Sequence, residues 1–336
     1  MRRTIPVVAL LLVLAVVAGS AGCAPKKQFV TIVTGGTAGT YYPVGTIMAA
    51  LWNEKLGKTG VVAAAQSSGG SVENLNMLKS GEAQLGIAMC NLTYFAAKGQ
   101  ERFDGKPFPD VRFLTALWPD VSQFVVTKAS GVNTFSDLRG KKFSVGSAGS
   151  GTEYSSRMIL DIIGGLKYAD FTPEYLSYGD ASAAMQNGQL AGMNAEGGVP
   201  TTAVAEIFAS RTPVRMLQFT DSEYHKLNDQ IPFYVQVTIP ANTYSNQPEA
   251  IKTIGVKCAV VASKGLSEKL AYDLVKAMYE NLETMQKSHK ALGYLTLQGA
   301  IEGLPKGVPL HVGAYKFFKE KGLNIPAELI PPEAKK

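Results

Sequence analysis

The sequence predicts an α/β fold of two similar lobes, with the chain crossing twice between them. Three observations carry this. β-branched runs alternate repeatedly with Gly-rich turns and with apolar residues at helical spacing. A length of 336 residues suits about two domains. A late strand-like run, Thr253–Ala262, can return the chain to the first lobe after the second is complete.

Phe29–Val33 reads as a strand that ends at Thr34-Gly35-Gly36, and helical spacing follows Pro43 through Val44, Ile47, Met48, Leu51 and Trp52. Val61–Ala65 is a second strand, ending at Ser67-Ser68-Gly69-Gly70. The next helix opens at Ser71 and closes at Gly81, a C-cap glycine. Leu85–Met89 is a third strand. Such alternation argues for a parallel sheet with helices on its faces. Phe113–Leu117 and Gln123–Thr127 read as two strands separated by Pro119, with the first crossing near Trp118.

In the second lobe Phe143–Val145 leads through Gly146–Gly151 into a helix from Thr152 to about Ile163. Tyr175–Ser177 reads as a strand, Ala181–Asn187 as a helix and Gln189–Asn194 as a strand ending at Ala195-Glu196-Gly197-Gly198. Residues 200–211 are expected to be helical and 214–218 extended. A long amphipathic helix, Ser267–Met285, follows the return strand, with Leu270, Leu274, Met278 and Leu282 on one face. The predicted division is residues 1–22 as a leader, 28–118 with 255–325 as lobe I, 119–254 as lobe II, and 326–336 as a loose tail.

Composition excludes several classes. Hydrophobic residues at 46% and charged residues at 18% rule out a disordered chain and a coiled coil. The formal charge of +6 is spread in pairs such as Lys26-Lys27 and Lys141-Lys142, so a solvated basic surface is expected and no nucleic acid partner. Arg2 and Arg3, an apolar run Ile5–Ala18, and Gly19-Ser20-Ala21-Gly22 have the order of a secretory signal. Its apolar part, about 14 residues, is short of the ~20 that a membrane span needs. Cys23 then resembles the lipidated cysteine of a bacterial lipoprotein box, although Ser20 stands where an aliphatic residue is usual. Lipidation at Cys23 would anchor the chain to a membrane, and cleavage nearby would release it; either places it outside the cytoplasm, in the periplasm or its equivalent. Cys90 and Cys258 sit in apolar runs and are expected to be separate buried thiols.

No catalytic set emerges. His225, His289 and His311 are widely separated, no Cys pair has zinc spacing, and no nucleophile elbow or phosphate-loop pattern occurs. No enzyme activity, metal or cofactor is therefore expected. Three strand-to-helix turns stand out instead: Thr34–Tyr42, Ser67–Ser71 and Gly146–Thr152, all rich in Gly, Ser and Thr. In a parallel sheet such turns share one edge, and each feeds a helix N-terminus with bare N–H groups. Together they suit a small anion, and none contains Lys or Arg. The candidate ligand-binding residues there are Thr37, Gly39, Thr40, Tyr41, Ser68, Gly69, Gly70, Ser71, Ser147, Gly149, Ser150, Gly151 and Thr152. Any one turn alone reads more readily as a tight connection and helix cap; the three in register favour a ligand site. Tyr41 and Tyr42 either cover a ligand or pack in the core; Trp118 either packs at the hinge or contacts ligand. Asn91 stands past the third strand, and Glu196 either meets a ligand amine or hydroxyl or caps a helix.

These segments resemble a known family. Thr34-Gly35-Gly36-Thr37-Ala38-Gly39-Thr40-Tyr41-Tyr42-Pro43, Ser68–Leu75, Gly149-Ser150-Gly151-Thr152-Glu153 and the closing Pro309–Ala314 with Glu320-Lys321-Gly322 are similar to the TAXI group of extracytoplasmic solute receptors, over about residues 28–325. That group serves tripartite ATP-independent periplasmic (TRAP) transporters. The resemblance implies a two-lobed periplasmic binding protein fold of type II. It implies capture of a small organic anion, a dicarboxylate or an acidic amino acid such as glutamate, and delivery to membrane permease subunits. The chain departs from the family at Met89-Cys90-Asn91, where a Gln-Asp-like pair is frequent. The alternatives are a receptor of an ATP-driven (ABC) importer, a sensor input, and a secreted hydrolase of small esters or amides using Ser150 or Ser71.

Overall fold

The computed structural model describes residues 25–335, so the expected leader and Cys23 lie outside the described residues. The first lobe is built on three parallel strands, β1 (Gln28–Val33), β2 (Val61–Gln66) and β3 (Leu85–Met89). β1 lies between the other two. Each strand is followed at its C-terminal end by a helix: α1 (Tyr41–Leu56), α2 (Ser71–Ser80) and α3 (Cys90–Lys98). The helix at α3 is not in the sequence expectation, because no Gly or Pro marks the junction Met89-Cys90; extended Met89 turns directly into it.

Two long antiparallel strands join the lobes. β4 is continuous from Val111 to Thr127, and β10 from Ile251 to Ser263. The first corrects the expectation of two strands broken at Pro119. Pro119 faces Lys257 at a register irregularity, a place where a missing N–H is tolerated. Each strand changes partners along its length. β10 pairs with β3 through Cys258–Ala262 and with β9 (Tyr234–Ile239) through Ile251–Val256. β4 pairs with β10 up to Val121 and with β7 (Gly192–Gly197) from Val121 onward.

The second lobe repeats the pattern. β5 (Lys142–Ser144) lies parallel between β6 (Thr172–Glu174) and β7, and β8 (Val214–Met216) pairs with the end of β4. Its helices are α4 (Gly151–Ile162), α5 (Tyr178–Gln186), α6 (Thr202–Ala209) and α7 (Asp221–Asn228). The sequence assigned a strand to Tyr175–Ser177. The strand ends at Glu174 instead, because Ser177 serves as the N-cap of α5, its side chain accepting from the Asp180 N–H.

The chain ends on the first lobe with α8 (Glu268–Glu280), α9 (Leu282–Ser288) and α10 (Val312–Glu320). The expected single helix Ser267–Met285 breaks at Asn281, whose backbone leaves the helical region. Residues 326–335, expected to be loose, lie against the first lobe: Leu329 is buried, its carbonyl accepts from the Leu310 N–H, and Glu333 pairs with Arg112 at 2.7 Å. Cys90 and Cys258 are both buried and free. The two-lobed α/β fold of the type II periplasmic binding class is thus the architecture observed. No helix among the described residues is long and apolar enough to cross a membrane.

Candidate functional site

The C-terminal edges of the two sets of parallel strands face each other, and a cavity lies between them. Four helix starts open onto it. Tyr41 begins α1, Ser71 begins α2, Gly151 begins α4 and Tyr178 begins α5, and all four residues line the wall. The first amides of a helix have no intrahelical acceptor and carry a partial positive charge, so the wall is rich in donors.

The loops reach this position for local reasons. Gly70 has φ of +118°, a conformation that side chains rarely adopt, and a Cβ there would sit 3.4 Å from Ser150 Cα. Asn74 fixes the turn from behind, its amide donating to the carbonyls of Thr34 (2.6 Å) and Ile87 (2.8 Å). Ser71 Oγ accepts from the Met89 N–H at 3.1 Å. Ser150 caps α4 by accepting from the Glu153 N–H at 2.9 Å.

The lobes touch across the cavity. Thr40 Oγ1 donates to the Gly198 carbonyl at 3.1 Å, the Ala203 N–H to the Ala38 carbonyl at 3.2 Å, and the Glu73 N–H to the Gly149 carbonyl at 3.2 Å. Arg102, just beyond α3, pairs with Glu153 on α4, whose side chain is 2% exposed. Arg157 meets the other oxygen of Glu153, and Tyr168 Oη donates to that same oxygen at 3.0 Å. Arg157 also lies 5.0 Å from the Tyr168 ring centroid.

Two carboxyl groups stand in the cavity wall. Asp120, on β4 at the crossing, accepts from Tyr41 Oη and, at 3.0 Å, from Trp118 Nε1. Glu196, on β7, accepts from Ser122 Oγ through Oε1. Burial pushes Asp120 up to about 7, with the hydrogen bonds from Tyr41 and Trp118 opposing. It pushes Glu196 up to about 8, with the Ser122 and Ser155 hydroxyls opposing and the charge of Asp120 adding to the rise. Burial, then Asp120, also raises the Tyr41 phenol well above its usual value. Tyr178 Oη links the walls: it donates to the Glu196 carbonyl (2.8 Å), accepts from the Glu196 N–H (3.0 Å) and bonds Thr152 Oγ1. Among the described residues lining the cavity there is no Lys, Arg or His.

Eleven of the residues singled out from sequence line this cavity: Gly39, Thr40, Tyr41, Gly69, Gly70, Ser71, Ser147, Ser150, Gly151, Thr152 and Glu196. Thr37 and Ser68 border an open depression just outside it. Gly149 makes an interlobe contact instead. Trp118 is fully buried, edge-on to Tyr41 with ring centroids 6.1 Å apart. Asn91 is buried, its Oδ1 accepting from the Leu92 N–H and its Nδ2 without a partner. Met89, at the strand end where the chain departs from the TAXI pattern, also lines it, and Asp120, Ser177 and Tyr178 are lining residues that sequence reasoning missed. Ser177-x-x-Asp180 is a capping pattern that would have placed the α5 start correctly. Asp120 is a lone acid in the apolar run Val111–Val126, a signal of its own.

The family model described as the NMT1-like family matches residues 32–322, and the chain belongs to that family. Among solved structures, a protein from Bordetella bronchiseptica RB50 is 19% identical, with 90% of this chain and 91% of that one covered at a TM-score of 0.51. The periplasmic aliphatic sulphonate binding protein SsuA from Escherichia coli is 17% identical, with 87% and 79% covered at a TM-score of 0.46. A periplasmic binding protein of Salmonella typhimurium with high arginine specificity is 14% identical, with 77% and 98% covered at a TM-score of 0.46. At these identities the likeness is one of fold.

Proposed function

We propose that the chain is an extracytoplasmic solute-binding receptor that captures a small organic acid in the interlobe cleft and delivers it to the membrane permease subunits of a TRAP transporter of the TAXI group. The observation that carries the reading is the convergence of four helix starts on one interlobe cavity, two from each lobe. Carboxylate oxygens match such amides without needing a lysine or arginine. The Thr34–Pro43 and Gly149–Glu153 motifs support the TAXI assignment, and the leader pattern before Cys23 supports export, with Cys23 as the anchor if it is lipidated. The ligand class is a dicarboxylate or an acidic amino acid.

Catalysis has little to work with. Ser150 is occupied as a helix cap and Ser71 by the Met89 N–H. Both His311 nitrogens meet backbone groups, Nδ1 accepting from Gly313 and Nε2 facing the Leu266 carbonyl at 2.9 Å. The reading is therefore a receptor and not a hydrolase. Binding closes the lobes about β4 and β10, the strands that run through both. Small-angle scattering with a panel of dicarboxylates and acidic amino acids tests this. At least one acid should lower the radius of gyration of the purified protein; no change with any of them, or turnover of an ester panel, contradicts the reading.

A further inference from the structure

One face of the first lobe's sheet is left uncovered at its outer edge. We infer that this face, centred on Phe29 and Val62 and bordered by Lys26, Lys27 and Lys58, lies on the anionic surface of a membrane. The protein is then held against the bilayer by its own surface, in addition to any lipid on Cys23. The inference goes beyond the receptor reading and does not depend on the ligand.

β1 and β2 pair in register, Phe29 with Val62 and Thr31 with Ala64, which puts the side chains of each pair on one side of the sheet. The opposite side is core: Val30, Ile32, Val61 and Ala63 are buried. On the first side Phe29 is 67% exposed and Val62 38%. Ala64 is exposed there too, and Thr31 is half-buried. Single exposed apolar side chains are ordinary, but here the most exposed large one among the described residues adjoins another on an uncovered sheet face.

Lysines border the pair. Lys26 and Lys27 lead directly into β1. Lys58 comes shortly before Gly60, whose carbonyl accepts from the Gln28 N–H at 2.8 Å, so the starts of the two strands are tied together. All three lysines are exposed. Among the described residues none of them is in an ion pair, whereas neighbouring Lys55 is answered by Glu54 at 2.8 Å. An aromatic ring among unpaired ammonium groups suits an anionic headgroup layer: the ring enters the acyl boundary and the lysines meet the phosphates.

Two facts favour the membrane over a second copy of the chain. Cys23 stands so close before Phe29 that the extended chain between them reaches about 20 Å at most, so an acyl group there would hold this end of the molecule at the bilayer. The outer edge of β2 is closed to strand addition at Ala63. Its N–H donates to Asn53 Oδ1 at 2.7 Å, and its carbonyl accepts from Asn53 Nδ2 at 2.8 Å.

Sedimentation with vesicles tests this, using the chain from Cys23 onward without acyl groups. It should pellet with vesicles of phosphatidylglycerol and phosphatidylcholine in equal parts; added salt, or phosphatidylcholine alone, should leave it in solution. A lysine near an anionic leaflet is worth about fivefold in partition, so Lys26→Gln, Lys27→Gln and Lys58→Gln together should lower it about 100-fold. Phe29→Ser should lower it about tenfold with the melting temperature unchanged. Lys128→Gln, Arg211→Gln and Lys226→Gln together remove the same charge from exposed positions of the second lobe and should stay within about threefold of wild type. No pelleting with the anionic vesicles, or equal losses in the two triple variants, overturns the inference. The emission of Phe29→Trp should shift to the blue only when anionic vesicles are present. A blue shift without vesicles that grows with protein concentration puts a second copy on this face and overturns the inference too. None of these outcomes bears on the ligand, so the receptor reading stands or falls separately.

Discussion

Replacing Arg102 with Met should weaken ligand binding without unfolding the protein. Arg102 reaches from the first lobe to Glu153 on α4, so their ion pair exists only when the lobes are closed. The Glu153 side chain is 2% exposed and that of Arg102 33%. Breaking a fully buried pair costs about 3–5 kcal/mol, and an exposed pair contributes about 0–1. Here Glu153 keeps Arg157 and the Tyr168 hydroxyl after Arg102 is lost, which places the cost between those limits, at about 1–2 kcal/mol. If the closed form is the one that holds ligand, apparent affinity falls by about 5–30-fold. Titration calorimetry on wild type, Arg102→Met and Arg157→Met reads this out. Arg157 pairs with Glu153 one turn away on the same helix, so it is bonded in open and closed forms alike. Its loss should lower thermal stability more than affinity. Unchanged affinity in Arg102→Met, or equal losses in the two variants, would refute the latch.

Further outcomes are expected. A Cβ at Gly151 would lie 2.4 Å from Met89 Sδ and 3.1 Å from Leu92 Cδ1, both in the opposite lobe; Gly151→Val should therefore cost about 100-fold or more in affinity, by calorimetry, while the unliganded protein melts near the wild-type temperature. Thr40→Ala removes the 3.1 Å tie to the Gly198 carbonyl and should cost about 0.5–1.5 kcal/mol of binding energy in the same assay. Asp120 and Glu196 have folded-state values of about 7 and about 8, above the ordinary carboxylate range. The folded protein then holds more protons than the unfolded chain between about pH 4 and pH 8, so the stability of the ligand-free form should fall as pH rises through that window. The titratable groups facing these acids are Tyr41, Tyr178, Tyr234 and Cys258, all raised by burial, so a double Asp120→Asn, Glu196→Gln variant should flatten the slope in denaturant melts. A slope that survives would assign it to other groups.

The turns were legible in the sequence because glycine and hydroxyl residues at strand ends announce their backbone geometry locally. Gly70 and Gly151 are examples: one needs positive φ, the other close approach to Met89. The break at Pro119 was misread because proline normally ends a strand, whereas here β4 carries it at a register shift opposite Lys257. That decision is made by pairing with β10, which lies far along the chain. α3 escaped notice because its N-cap, Met89, makes no side-chain cap bond and leaves no pattern. Asp120 and Tyr178 join the site only through lobe closure and strand crossing, both tertiary facts. Glu196 was visible at a strand end, but its bond to Ser122 depends on a different strand.

Native mass spectrometry of the freshly purified chain tests the central claim most directly. The claim is that the two lobes close four helix starts around one small acid. The spectrum should show a single low-mass acid bound to the wild-type chain and none on Gly151→Val. A wild-type chain that carries no adduct and gains none when a panel of small acids is added at millimolar concentration would contradict the account.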